Sequence, residues 1–215
     1  YGITLTMLIA VDGPAAAGKG TLCTKLAEHF NLAKLDTGLI YRAVAKKIFE
    51  TGRPVNDNIA IEIAQLLSIN DLDKSGLRDE LIGKHASEIA SVPEVRKILL
   101  KFQRKFAKNP PKSKLGAVLD GRDIGTVVCP DANFKLFITA TPEVRAERRY
   151  KELQDRGKEV IRGAILRDII KRDERDRLRA ISPLVPAFDA HVIDTTNLDQ
   201  DNVFNVALKF ITLKN

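Results

Sequence analysis

The residues best suited to chemistry fall in short blocks, and the first is Gly13-Pro14-Ala15-Ala16-Ala17-Gly18-Lys19-Gly20-Thr21. Small residues let a backbone wrap closely round a phosphate with its N–H groups turned inward. A helix opening at Lys19 adds the positive end of its dipole. Lys19 supplies a mobile cation that can follow charge on β- and γ-phosphates, and Thr21 offers a hydroxyl near a phosphate-bound metal. The chemistry that fits is the binding of a nucleoside triphosphate, with Gly13 to Thr21 as its cradle.

Acids and arginines supply the rest. Asp12 and Asp120 each end a predicted strand, where parallel sheets bind ligands. Either carboxylate could hold Mg2+ through water, because that ion keeps much of its hydration shell. The alternative for each is an acid that caps a helix or loop. Arg42 follows Asp36-Thr37-Gly38 at the start of a predicted helix, and Arg122 lies between Asp120 and Asp123 beyond a strand. Arg172, Asp176 and Arg179 share one helical face by the three-and-four rule. A planar guanidinium binds phosphate bidentately, so these arginines are candidates for a second anion site. Mixed-sign runs are more often solvated faces, and the joint occurrence with the loop shifts that balance.

The elements that must position these residues alternate. Leu8–Val11 reads as a buried strand, and Leu22, Leu26 and Phe30 recur on a helix that Asn31 stops. Ala33–Asp36 reads as a second strand ended by Thr37-Gly38, followed by a helix over Leu39–Glu50. Residues 55–112 look mostly helical: Ile59, Ile63, Leu66 and Leu67 share a face, and helices are predicted over Leu81–Ala90 and Val95–Phe106. Strands return at Gly116–Asp120, Phe134–Thr139 and His191–Asp194. Thr141-Pro142-Glu143 opens a helix with a cap, a proline and an early acid. The charge-dense stretch Arg145–Arg179 is helical with a break near Gly157, and Asn202–Leu213 forms a terminal helix. The expected fold is α/β, a parallel sheet covered by helices with two helical appendages.

Composition sets the outer limits. Hydrophobic residues make up 44% and charged residues 29%, which describes a globular chain rather than a disordered one. No run approaches the roughly 20 apolar residues of a membrane span. The net charge of +7 predicts a polyanionic partner, and nucleic acid and nucleotide phosphates both fit it. Aromatics at 6% with no Trp count against base stacking on a polynucleotide. Cys23 and Cys129 cannot build a disulfide framework and read as reduced thiols. No signal peptide is read, and Tyr1–Thr6 precede the sole methionine, Met7, as a segment that need not be native. The expected location is the cytoplasm.

The Gly-Lys-Gly-Thr variant, with Gly20 between Lys19 and Thr21, is closer to nucleoside monophosphate kinases than to GTPases, and no Asn-Lys-x-Asp motif occurs. Taken in order, four blocks resemble bacterial cytidylate kinases. They are the loop, Leu35-Asp36-Thr37-Gly38-x-x-Tyr41-Arg42, Asp120-Gly121-Arg122-Asp123-Ile124-Gly125-Thr126-Val127-Val128, and Arg172 to Arg179 with Ser182-Pro-Leu-Val-Pro186. The resemblance runs from about Leu8 to Phe210. It implies a P-loop kinase with a CORE (about 7–50, 113–150 and 185–215), an NMP-binding region (about 51–112) and a helical LID (about 151–184).

It implies transfer of the γ-phosphoryl group of ATP to CMP or dCMP with Mg2+, for which the residues already offer Thr21 and, through water, Asp120. It further implies that Thr37, Arg42, Ser87, Arg96, Arg122, Asp123, Arg172, Asp176 and Arg179 line the CMP site. Ser87, Arg96 and Asp123 would face cytosine, Arg172 and Asp176 the ribose, and Arg42, Arg122 and Arg179 the phosphate. Lys19, Arg122, Arg172 and Arg179 would carry the catalysis. Helix register alone would not select Ser87. Many members insert a small β-rich unit before the Ser87 segment. Here Asn70–Gly76 is too short for one, so a reduced NMP-binding region is expected. The expected partners are the two nucleotides, with no nucleic acid and no membrane, and the chain is expected to be a monomer. The rivals are another small-molecule P-loop kinase (adenylate or broad pyrimidine), a basic nucleic-acid-binding module, and a regulatory switch.

Overall fold

A computed structural model describes residues 6–54 and 56–214, so most of the Tyr1–Thr6 segment lies outside the described residues. The chain divides into two compact units, residues 1–35 with 110–215 and residues 36–109.

The first unit holds a sheet in the order β2-β3-β1-β4-β5. Its strands are β1 (Met7–Asp12), β2 (Ala33–Asp36), β3 (Gly116–Gly121), β4 (Phe134–Thr139) and β5 (His191–Asp194). β1 pairs in parallel with β3 and β4, and β4 with β5. Alternation along these strands sorts their side chains onto two faces. Ile9, Val11, Val118, Leu136, Ile138 and Ile193 turn to one face. There they pack with Leu22 and Leu26 of α1 (Lys19–His29) and with Val203, Ala207 and Ile211 of α8 (Gln200–Lys214). Asp120 pairs with Val11 and so shares that face. Asp12 and Lys135 belong to the other.

Helix ends follow local chemistry. α1 stops as expected at Asn31, which takes a left-handed φ of 51°. The Leu32 amide then bonds the Ala27 carbonyl at 2.8 Å, closing a Schellman motif. Thr141 caps α6 (Pro142–Asp155), accepting from the Val144 amide at 3.4 Å. Gly157, at φ 69°, breaks the charged stretch before α7 (Arg162–Leu178). The buried residues Ala146, Leu153, Ile165 and Ile169 join α6 to α7. Arg179 was expected on the helical face. It is the residue just past α7: its amide still bonds the Arg175 carbonyl at 3.2 Å, but its backbone is extended (ψ 138°), and the Leu184 amide takes the Asp176 carbonyl at 2.8 Å instead of a next helical turn.

Apart from Asp36 at the end of β2, the regular elements among the second unit's described residues are helices. The unit comprises α2 (Thr37–Glu50), α3 (Asp57–Gln65), α4 (Glu80–Ile89) and α5 (Pro93–Lys108). α2 packs on α3 and α4, and α3 on α5. β2 ends before Thr37-Gly38 as expected, but those two residues already form the first turn of α2, which starts ahead of the expected Leu39. The Asp36 carboxylate caps that turn by accepting from the Gly38 amide at 3.0 Å. Ile59 and Ile63 are buried as expected, yet α3 ends at Gln65 and Leu66 is 66% exposed. Residues Ile69–Asp73 form a short 3-10 helix, closed by a Ser68–Asp71 capping box. No strand forms there among the described residues, in keeping with the shortened segment. The unit begins at Asp36, before the boundary near 51 drawn from the sequence, and residues 151–184 belong with the sheet. Among the described residues no helix is long and apolar enough to cross a membrane.

Candidate active site

The loop at residues 13–21 joins β1 to α1, and its path is set by the backbone. Gly13 has φ 145°, and a Cβ there would stand 1.9 Å from the Ile138 carbonyl oxygen, so no larger residue fits. Ala16 and Gly18 both take left-handed conformations, at φ 59° and 95°. For Ala16 that is an uncommon, strained setting, of the kind found where a backbone must present its amides. Lys19 is buried. Its Nζ donates to the Pro14 carbonyl at 2.8 Å and lies 3.7 Å from Asp120 Oδ1. The ammonium is therefore folded over its own loop. Thr21 is exposed in the first turn of α1.

Alternation separates the two strand-end acids. Asp120 faces α1 and Lys19, and the position a Gly20 Cβ would take lies 3.6 Å from its Oδ2. Asp12, on the opposite face, uses both oxygens on the main chain. Its Oδ1 accepts from the Ile124 amide and its Oδ2 from the Gly125 amide, both at 2.7 Å. Of the two readings the sequence leaves for Asp12, water round a metal or the cap of a loop, the one seen here is the cap, since both oxygens serve a turn of the chain. Burial pushes its carboxyl up to about 6, the two amides and Lys19 pull it down, and Asp123 adds to the rise.

The turn held by Asp12 runs over Ile124–Val128 in a π-helical conformation, with the Val127 and Val128 amides both on the Asp123 carbonyl. Arg122 and Asp123 lead into it. Arg122 Nε donates to Asp176 Oδ2 at 2.9 Å, and Arg179 Nη1 lies 3.9 Å from Asp176 Oδ1. Burial alone would raise the Asp176 carboxyl, but the charges of Arg122, Arg172 and Arg179 outweigh it and hold the group below the ordinary range. Arg122, Arg172, Asp176 and Arg179 are thus brought together, although Arg179 left the helix.

In the second unit Thr37 is buried in the first turn of α2. Arg42 Nη1 donates to the Leu77 and Asp79 carbonyls, at 2.9 and 3.1 Å. Arg96 is buried on α5, donates to the Ala90 carbonyl at 3.2 Å and lies over the Tyr41 ring at 5.7 Å. Ser87 is buried on α4. Arg96 and Tyr41 meet, while Arg42 is held at the start of α4.

Sequence reasoning missed the supports built on Arg145 and Arg148. Arg145 is one of the largest fully buried side chains. It donates to the Ala140 carbonyl at 2.9 Å, to the Ala15 carbonyl in the loop at 3.2 Å, and with two nitrogens to Asp173 on α7. Arg148 donates to the Thr195 hydroxyl at 2.9 Å, and that hydroxyl reaches the Ala17 carbonyl at 3.2 Å. Arg145, Arg148 and Asp173 sit in a charge run that resembles a solvated face. The usable signal was position, because Arg145 and Arg148 fall in the first turns of a helix that starts at a strand end. A shallow groove lined by Pro142, Ile170, Asp173, Glu174, Arg177 and Leu178 contains none of the expected residues.

A main-chain anion cradle with one ammonium, and a guanidinium cluster round one carboxylate, suit the transfer of a phosphoryl group between two anions. The comparisons agree. The family model described as cytidylate kinase matches residues 9–213. A cytidylate kinase of Paramagnetospirillum magneticum is 54% identical over 98% of this chain and 100% of its own length. One from Methylocella silvestris is 52% identical over 95% of this chain and 94% of its own. A gluconokinase structure from Sinorhizobium meliloti shares the fold at a TM-score of 0.52, with 12% identity over 97% of this chain and 93% of that one.

Proposed function

The chain belongs to the cytidylate kinase family, and on that footing we propose that it transfers the γ-phosphoryl group of ATP to CMP or dCMP. The observation that carries the reading is the gathering of Arg122, Arg172 and Arg179 round Asp176, in the same unit as the Lys19 loop.

Residues 13–21 bind the ATP phosphates through backbone amides, and Lys19 swings from the Pro14 carbonyl onto the β- and γ-phosphates. The donor set suits a hydrated Mg2+ carried in by the nucleotide: one carboxylate, Asp120, stands beside the loop lysine, with the Thr21 hydroxyl on the helix it opens. That ion, when bound, neutralises phosphate charge. The acceptor phosphate oxygen is already ionised at neutral pH, so the protein needs no covalent nucleophile and no strong base. Its work is to place an acceptor oxygen in line with the γ-phosphorus and to balance charge as the bond passes over.

Arg122 and Arg179 take the acceptor phosphate, and Arg172 and Asp176 the ribose. The Asp123 carboxylate accepts from the cytosine amino group and repels the carbonyl that uracil has in its place. Thr37, Arg42, Ser87 and Arg96 of the second unit keep the acceptor-binding roles the family resemblance implies. Residues 151–184 are the candidate lid. Closure would exclude water from the transfer.

An ATP-coupled assay over CMP, dCMP, UMP and AMP tests this. Turnover on CMP and dCMP well above UMP and AMP is expected. Preference for AMP would make the protein an adenylate kinase, and equal kcat/KM for CMP and UMP would remove the base-reading role of Asp123.

A further inference from the structure

Asp12 precedes the first residue of the phosphate loop, yet its carboxylate serves a different segment 112 residues away. The Ile124 and Gly125 amides open the π-helical turn, where N–H groups have no partner within the turn itself. A two-oxygen acceptor from β1 satisfies both, at 2.7 Å each. The two residues just before those amides are Arg122 and Asp123. Moving the amides therefore moves the guanidinium that meets Asp176 and the carboxylate proposed to read the base.

Packing closes the other side. A Cβ on Gly125 would stand 3.2 Å from Lys135 Cδ, 3.4 Å from Ala187 Cβ and 3.4 Å from Asp12 Oδ2. Lys135 crosses that space from β4 to reach Asp189 at 2.9 Å. The turn is held between a carboxylate on one strand and a lysine stem on the next. Keeping an ionised carboxylate in such a buried setting is costly, which speaks against a merely incidental acid.

We propose that Asp12 is a positioning residue of the acceptor side, holding the turn that carries Arg122 and Asp123 and thereby setting how strictly cytosine is told from uracil. The discrimination part rests on the proposed base-reading role of Asp123.

The test compares wild type, Asp12→Asn and Asp123→Asn on CMP and UMP with saturating ATP. Asparagine keeps the shape of Asp12, but its amide NH2 must face one of the two N–H groups. The ratio of kcat/KM for CMP to that for UMP does not depend on how much enzyme is folded. Asp12→Asn is expected to lower this ratio at least about fivefold, the equivalent of ~1 kcal/mol, and to raise KM for CMP while KM for ATP stays unchanged. Gly125→Ala, which crowds the turn from the other side, is expected to act in the same direction and serves if Asp12→Asn does not fold.

A ratio that falls in Asp123→Asn but holds in both Asp12→Asn and Gly125→Ala overturns the inference. A ratio unmoved by Asp123→Asn sinks the base-reading role instead. Positioning of Arg122 is then judged by the KM values: a rise for CMP alone supports it, and equal changes for both nucleotides overturn it.

Discussion

The loop at residues 13–21 offers a phosphate its main-chain amides and one ammonium, whereas the cluster at the end of α7 offers three guanidinium groups gathered on one carboxylate. The loop depends on backbone conformation, fixed by Gly13 against Ile138 and by left-handed turns at Ala16 and Gly18. Its side chains matter little apart from Lys19 and the Thr21 hydroxyl. The cluster depends on which side chains arrive from separate segments, since Arg122 and Asp176 are 54 residues apart in sequence. A main-chain site resists most substitutions but has one charge to lose. A side-chain site loses a graded share of its grip with each arginine.

The largest expected effect strikes both regions at once. Arg145 is the buried tie between them, bonded to the Ala15 carbonyl in the loop and to Asp173, which neighbours Arg172. Arg145→Ala strands a buried carboxylate, and breaking such a pair costs about 3–5 kcal/mol. Thermal or urea unfolding should register that loss. A change within experimental error would show that loop and cluster are held independently. Next comes Lys19→Ala, which removes the loop's charge while its glycine-determined path remains. It should lower kcat at least about 100-fold, by analogy with losing an oxyanion donor, with an unchanged circular dichroism spectrum. Near wild-type turnover would mean that the amides alone suffice.

The two regions also differed in how far they could be read. The loop was legible because its motif is continuous and its strand–loop–helix context is local. The strand and helix pattern of the sheet unit was legible for the same reason, down to Asn31 as the stop of α1. The arginine cluster was legible in part from spacing, and its division into phosphate and ribose contacts only through the family resemblance. The three-and-four rule selected Arg172, Asp176 and Arg179, but it assumed a helix that ends one residue too soon. Arg145 and Asp173 escaped because a fully buried ion pair and a solvated charge run share one composition. Which acid faces which side of the sheet was hidden too. Strand alternation decides it, and the register that puts Asp120 opposite Val11 belongs to tertiary structure.

That difference between the two acids has a pH signature. The folded-state pKa of Asp12, about 6, lies above its ordinary value of 3.8, so the folded protein binds more protons between those limits. Stability contributed by this group is therefore present below about pH 4 and is lost as pH rises towards 6. Asp12→Asn has no such titration. The stability of wild type minus that of Asp12→Asn should fall by up to about 3 kcal/mol across this window and then level off. A difference that stays flat from pH 4 to 7 would place the carboxylate in a far wetter setting than the turn allows.

The smallest expected effect falls on the cluster and sharpens the division of labour. Arg172 contributes to holding Asp176 ionised, and the proposed function gives it the acceptor ribose and gives the loop the donor. Arg172→Ala removes one guanidinium of three and leaves the loop untouched. Losing a charged hydrogen bond of ~2 kcal/mol should lower kcat/KM for CMP about 30-fold. KM for ATP should stay within about twofold, because uniform binding of the donor is not disturbed. Varying each nucleotide at saturating levels of the other separates the two constants. A rise in KM for ATP with CMP use intact would exchange the two sites. Equal losses on both would mean that loop and cluster hold the substrates as one charge-coupled unit rather than as two independent grips.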